Sequence, residues 1–397
     1  MAKKIELKEK IDKNTFKSDN GLVYRINDNG ESVSVGCAND ARETIELADI
    51  ASEVVIEGKT YPVTHTKPAA FSSCKELKTV IFPESMKCIV MDSFYMPAES
   101  WEPRNHPLPK LKKLVFNGCR DFENFDGLIQ KVDEIEYDSI ETLLNMYTDA
   151  PCKSLVKRMP ITSRIISVGG KELSDLVIPE GTTMLHEGFL ANLEGLHSVA
   201  LPNSLKTIGD KAFYNCKNLE KINFPEGLET IGKNAFHATG LHEIVIPKGC
   251  KLIGNDNFSN CEQLTEVTLP EDITEIPNCA FMATKLESIE LPEGLKTIGN
   301  KAFAETPLKE ITIPSTVTSI GESVFDSCGE LANVYSHIAD PSTCEVQAME
   351  EKRPGSYKRL EVFYCQATLH IPNVKGLATA YKKKAAWKKF SNIVADI

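Results

Sequence analysis

The sequence predicts an α/β solenoid, a stack of short coils, and three regularities in its middle predict it. A proline closes an apolar strand at Pro179, Pro202, Pro225, Pro247, Pro270, Pro292 and Pro314, so successive copies are offset by 23, 23, 22, 23, 22 and 22 residues. A period of that size marks stacked supersecondary units. A phenylalanine recurs eleven residues after the proline at Phe213, Phe236, Phe258, Phe281, Phe303 and Phe325, with Phe189 ten residues after Pro179. A leucine recurs six residues before each proline, at Leu173, Leu196, Leu219, Leu241, Leu264, Leu286 and Leu308.

One unit shows the physics. In Leu219-Glu-Lys-Ile222-Asn-Phe224-Pro225 the apolar residues alternate with polar ones, the period-two pattern of a half-buried strand. Leu219, Ile222 and Phe224 are predicted to face a core, and Lys221 and Asn223 to face water. Proline lacks an amide hydrogen and can end such a strand but not sit within a ladder. Leu228, Ile231, Ala235 and Phe236 then supply the remaining inward positions. So few side chains cannot offset the entropy of ordering a whole repeat, so each coil needs neighbours and the stack needs caps. A glycine follows the isoleucine at Gly209, Gly232, Gly254, Gly299 and Gly321, but Pro277 breaks that column. Either these glycines supply a positive φ and one corner is reshaped, or they serve close packing.

Along the chain, residues 1–50 read as an amino-terminal β cap, because Leu22 to Val35 alternates around Asp28-Asn29-Gly30, a hairpin signal. Residues 51–96 hold the first repeats, with Phe71, Cys74, Leu77, Val80, Phe82 and Pro83 in order and Phe94 eleven residues later. Residues 97–170 carry damaged copies, Leu111-Lys-Lys-Leu114-Val-Phe116 and Val132-Asp-Glu-Ile135-Glu-Tyr137, after a loop from Pro97 to Pro109 containing Trp101. Ser139 to Tyr147 has the pattern of a short helix. Residues 171–340 are the regular repeats. Residues 341–397 read as a carboxy-terminal cap, with a strand over Ala367–Pro372 and helical spacing of Leu377, Tyr381, Trp387, Phe390 and Ile393. Lys382, Lys383, Lys384, Lys388 and Lys389 form its solvated face.

The residues argue against catalysis. Four of the twelve cysteines, Cys74, Cys216, Cys261 and Cys328, lie three residues after the repeat phenylalanine, where other copies place Thr239, Thr284 and Thr306. A place that accepts either residue is a small buried corner. No CxxC or HExxH occurs, so no metal site and no cofactor are expected. Cys37, Cys88, Cys152, Cys344 and Cys365 show no pairing. Val168-Gly-Gly-Lys171 lacks the spacing of a phosphate loop, and Asn257-Phe-Ser259 is a glycosylation sequon whose middle residue is a core phenylalanine. A net charge of −11 opposes nucleic acid as partner. No apolar run is long enough for a membrane span. As written the chain starts without a secretory signal and is expected in the cytoplasm, or at the cell surface if such a segment was removed.

The repeat of the form Leu-x-x-Ile-x-Ile-Pro-x-x-Leu-x-x-Ile-Gly-x-x-Ala-Phe-x-x-Cys, best in Leu196–Cys216 and Leu241–Cys261, resembles the BspA-like leucine-rich repeat family. Val54–Thr64 looks like that family's opening segment, and Leu369 through Ile393 like its closing strand and helix. The resemblance covers roughly residues 50–95 and 165–340. It implies a right-handed leucine-rich repeat coil with a parallel sheet on the concave face. It further implies a non-enzymatic, adhesion-type protein that binds a protein partner, such as a host matrix or surface protein, and a monomer is expected; the alternative readings are a structural or scaffolding solenoid, or a glycan binder or enzyme using the 97–165 insertion. Two outward columns run along the strand side. The first is Ser198, Lys221, Glu243, Glu266, Ser288, Glu310 and Asn333, and the second is Ala200, Asn223, Val245, Thr268, Glu290, Thr312 and Tyr335. The expected partner-binding residues are those from Lys221 and Asn223 onward, whose four glutamates suit a basic or amphipathic partner.

Overall fold

The computed structural model describes residues 3–90, 93–96, 106–108, 110–118, 124–125, 132–139, 142–143, 165–252, 254–346, 367–384, 387, 390 and 392–397. Trp101 and most of its loop, most of the helix expected over Ser139–Tyr147, and Cys152, Cys365, Lys388 and Lys389 lie outside the described residues. The chain forms two compact units, residues 1–173 and 174–397. Strands dominate both; the single α-helix of four or more residues among the described residues is Leu377–Lys383. The α/β expectation is corrected accordingly: the coils return through turns, not helices.

In the first unit, Leu22–Ile26 pairs antiparallel with Val33–Cys37, from Leu22 opposite Cys37 to Ile26 opposite Val33. The hairpin is the expected one, but its turn is wider than a two-residue Asn-Gly turn. Asn27 N–H donates to Ser32 O at 2.9 Å and Gly30 N–H to Asn27 O at 2.8 Å. Of these turn residues Gly30 takes the positive φ, 64°. The hairpin joins Thr15–Lys17 on one side and, by parallel pairing, Lys59–Thr66 on the other. A second sheet runs parallel through Leu47–Asp49, Thr79–Phe82, Lys113–Phe116, Glu134–Tyr137 and Ile165–Val168. Phe82, Phe116 and Tyr137 stack through it at 5.1 and 5.7 Å between ring centroids. The damaged repeats thus keep their strand track. Ile165–Val168 belongs to it through its parallel pairing with Glu134–Tyr137, and Gly169 and Gly170, both at positive φ, fold Lys171–Glu172 back onto it.

In the second unit the coils lie along three hydrogen-bonded tracks. The first carries the strands that precede the prolines, Asp175–Val177, Ser198–Ala200 and Lys221–Asn223, then Glu243–Val245 and Glu266–Thr268, then Glu310–Ile313, which is continued by Asn333–Ser336, Thr368–Ile371 and Asn392–Ala395. The second carries two-residue strands such as Thr207–Ile208, Thr230–Ile231 and Lys251–Leu252. The third is the phenylalanine corner, where Phe213, Phe236, Phe258, Phe281 and Phe303 each donate N–H to the next coil at 2.8–3.1 Å. Their rings, with Phe325, stack at 5.3–6.2 Å and within 13° of parallel.

Phe189 is not a member of that column. Gly188 and Asn192 flank Leu190 at positive φ as Lys211 and Asn215 flank Phe213, and Leu190 N–H donates to Ala212 O at 2.7 Å. Leu190 therefore holds the column place. Phe189 fills the place of the small residue beside it, so its ring meets Phe213 edge-on at 88°.

The glycine column is settled in favour of packing. Gly209, Gly232, Gly299 and Gly321 do not adopt positive φ, whereas Gly254 does, at 79°. A Cβ on Gly299 would lie 2.5 Å from Asn278 N and 2.6 Å from Pro277 C, and one on Gly321 2.4 Å from Asn300 N. A proline suits Pro277 because no positive φ is required there.

The corner residues behave as expected of a small buried site. The thiols of Cys216, Cys261 and Cys328 donate to the carbonyls of Leu190, Phe236 and Phe303 in the preceding coil, at 3.0–3.1 Å. Thr239, Thr284 and Thr306 instead bond the phenylalanine carbonyl of their own coil. The cap differs from the strand-and-helix expectation in one respect. Lys384 is extended, the helix stops, and Ile393 lies in a final strand opposite Leu369. Trp387 is buried against Tyr381, whose hydroxyl donates to Ile338 O at 2.8 Å.

Candidate functional site: the strand face of the second unit

The alternation that buries Ile244, Val267, Ile289, Ile311 and Val334 turns their neighbours outward. Lys221, Asn223, Glu243, Val245, Glu266, Thr268, Ser288, Glu290, Glu310 and Thr312 are all exposed, while Asn333 and Tyr335 are half-buried. Parallel register brings several of them side by side. Glu243 stands opposite Glu266, Val245 opposite Thr268, Glu310 opposite Asn333 and Thr312 opposite Tyr335. Ser288 and Glu290 are outside any strand, so the track is not one continuous sheet but three, covering 175–223, 243–268 and 310–395.

Charge on this face is unbalanced. Among the described residues Glu243, Glu266, Glu290 and Glu310 form no ion pair, although Lys309 next to Glu310 is bound to Glu287 at 2.5 Å. That contact raises the Lys309 pKa. Parallel neighbours about 4.8 Å apart make Glu243 and Glu266 a like-charge pair, which costs stability unless something cationic covers it. Val245, 63% exposed, stands two residues along the same strand from Glu243. At the start of the face the Ser174 and Ser198 hydroxyls hold the Asp175 carboxyl below its ordinary range.

Two residues missing from the sequence expectation join this face. His370 lies opposite Tyr335, its ring stacked at 4.7 Å, and its Nδ1 meets the Asp396 carboxylate at 2.9 Å while Nε2 meets Asn333 Oδ1 at 3.1 Å. Extending the outward column into Thr368–Ile371 would have found His370. Asp396 had no such signal, since its segment carries helical spacing. No helix of the described residues is long and apolar enough to cross a membrane, and no group of three His, Cys, Asp or Glu among them could hold a metal. Asn257 of the sequon is buried, with its Nδ2 donating to Gly232 O at 2.6 Å, so it offers no free amide to a modifying enzyme.

A family model for the BspA type leucine rich repeat region matches the chain in 6 copies over residues 53–149, 169–284 and 229–339, and the chain belongs to this family. Family members are built from leucine-rich repeats and are generally non-enzymatic proteins of protein recognition. No curated protein matches the chain. Among solved structures, the pneumococcal vaccine antigen PcpA is similar at 15% identity and TM-score 0.47, covering 96% of this chain and 98% of that one. A leucine rich cell surface protein of Faecalibacterium prausnitzii is similar at 21% identity and TM-score 0.42, covering 82% of this chain and 95% of its own. A leucine-rich repeat protein of Bacteroides ovatus is similar at 20% identity and TM-score 0.35, with 82% and 98% covered.

Proposed function

We propose that this chain is a non-enzymatic, adhesion-type recognition protein that binds a cationic protein partner on the strand face of its second unit, read as the concave side of a right-handed leucine-rich repeat coil. The observation that carries this is the row of unpaired glutamates, with Glu243 and Glu266 opposed in register and the exposed Val245 on the same strand as Glu243. Such a face keeps an electrostatic cost in the free protein that a basic partner removes on binding. Lys221, Asn223, Thr268, Ser288, Thr312 and Asn333 form its polar surround, and Tyr335, stacked on His370, is a rigid aromatic anchor at one end. Because the side chains stand on packed strands, binding orders little new structure.

Charge reversal tests this. Glu243→Lys, Glu266→Lys and Glu310→Lys together are compared with Glu226→Lys, Glu271→Lys and Glu293→Lys, which make the same change in net charge off the strand face. The probe is a labelled poly-lysine peptide, followed by partners captured from matrix and same-cell proteins. The strand-face variant should associate at least about tenfold more slowly at low salt, and the difference should vanish near 1 M salt, where the Debye length falls to about 3 Å. Equal slowing by both variants would reduce the face to ordinary solvated surface.

A further inference from the structure

Cys37 ends the second strand of the amino-terminal hairpin, and Cys74 is the corner cysteine of the first repeat. Cys37 N–H donates to Ala70 O at 2.8 Å, which ties the strand end to the turn that follows. That turn is closed by Cys74 N–H on Phe71 O at 3.1 Å. The Cys74 thiol donates to the Cys37 sulfur, whose own thiol hydrogen points to Ala38 O at 3.4 Å, and both cysteines are free and buried, Cys37 at 4% and Cys74 at 0% exposure. Corner thiols elsewhere donate to a carbonyl of the preceding coil. At Cys74 the acceptor is a second sulfur.

We propose that Cys37 and Cys74 are a disulfide site, which under oxidising conditions clamps the amino-terminal hairpin to the first repeat. The hydrogen bond from Cys74 holds the Cys37 thiol below its ordinary range, and Arg42 adds to this, so Cys37 is the nucleophile of the pair. The oxidant is a small-molecule disulfide such as oxidised glutathione. The Cys37 thiolate attacks one glutathione sulfur and displaces a glutathione thiolate. The Cys74 thiol, losing its proton to solvent, then attacks the Cys37 sulfur of that mixed disulfide and displaces the second glutathione thiolate. Two protein thiols are oxidised by two electrons, and one glutathione disulfide becomes two thiols. Burial places the reaction in folding or in transient opening of the hairpin, after which the product is shielded from reductant.

The full chain is unfolded, refolded in mixed reduced and oxidised glutathione, blocked with N-ethylmaleimide and digested without reductant. A peptide pair joining Cys37 to Cys74, two hydrogens lighter than its separate halves, is expected. Cys37→Ser and Cys74→Thr should each abolish it, the second with little disturbance because Thr239, Thr284 and Thr306 occupy the same corner place. The oxidised protein should melt several degrees above its reduced form, and neither variant should show that shift. Recovery of both cysteines as maleimide adducts in the refolded protein, or bridges only to other cysteines, overturns the proposal; this readout needs no variant to fold.

Discussion

At Asn257 the chain places an amide where neighbouring coils carry Ala235, Ala280 and Ala302. Its Nδ2 donates to Ile231 O at 3.2 Å and Gly232 O at 2.6 Å, in the coil where other repeats meet that isoleucine carbonyl with a glycine N–H. Asn257→Ala restores the residue its neighbours use yet should destabilise the protein by about 1–3 kcal/mol, because two buried carbonyls lose a partner. Urea unfolding checks this; a neutral result would mean that the carbonyls find another donor. Gly299→Ala should cost about 1–3 kcal/mol or more although its φ is ordinary, since the added methyl meets backbone atoms. Phe258→Ala should cost about 3–5 kcal/mol, against under about 0.5 for Lys221→Ala. Burial pushes the Cys216 and Cys250 thiols up to about 12 and Cys261 up to about 11, from 9.0. Below pH 9 the thiol is protonated both folded and unfolded, so its full contribution is present. Above pH 9 the unfolded chain ionises first, and stability falls by about 1.4 kcal/mol per pH unit per thiol until the folded thiol also ionises. Cys216→Ala should therefore show a shallower alkaline decline in stability than the parent between pH 9 and 11.

Strand continuity follows corner length. The strand track is unbroken across the cysteine corners Cys216, Cys261 and Cys328, and it breaks at each threonine corner, Thr239, Thr284 and Thr306. A threonine corner leaves two residues to the next leucine and a cysteine corner three, so the shorter loop delivers the chain to the track out of step with its neighbour. Replacing Thr284 by cysteine and inserting one residue after it should let Ser288–Glu290 pair with Glu266–Thr268. Hydrogen exchange at those amides would slow by tenfold or more if the pairing forms; unchanged exchange would mean that other features of the coil set the break. The alternation of strand residues was legible in the sequence, as was the coincidence of corner type with spacing. Its effect on the sheet was not, because a ladder depends on the relative position of two coils, and the repeat pattern describes one coil at a time.

At the level of the whole molecule, charge is the least balanced property. Net charge is −11, and the strand face adds an opposed pair of carboxylates. Self-repulsion of this kind weakens the compact state and is screened by salt. The melting temperature should rise as sodium chloride is raised from about 0.02 to 0.5 M, more for the parent than for Glu243→Gln with Glu266→Gln. A fall with salt would place the dominant electrostatics in the favourable ion pairs, such as Lys113 with Glu134 and Glu136.

The sequence by itself determined the repeat, its two spacings, the inward residues, the hairpin at the front and the outward columns, because each of these is a local periodicity that one chain segment displays alone. Only the tertiary structure decided that Leu190 rather than Phe189 enters the phenylalanine column, that four of the five column glycines serve contact while Gly254 takes a positive φ, that Ile165–Val168 is a strand, and that Ile393 pairs with Leu369 instead of completing a helix. Each of those is fixed by what the neighbouring coil presents at a distance of one strand spacing. The same holds for the charged face: its glutamates are visible as letters, but their opposition in register, and the meeting of Tyr335 with His370 and Asp396, arise only when separate coils are stacked.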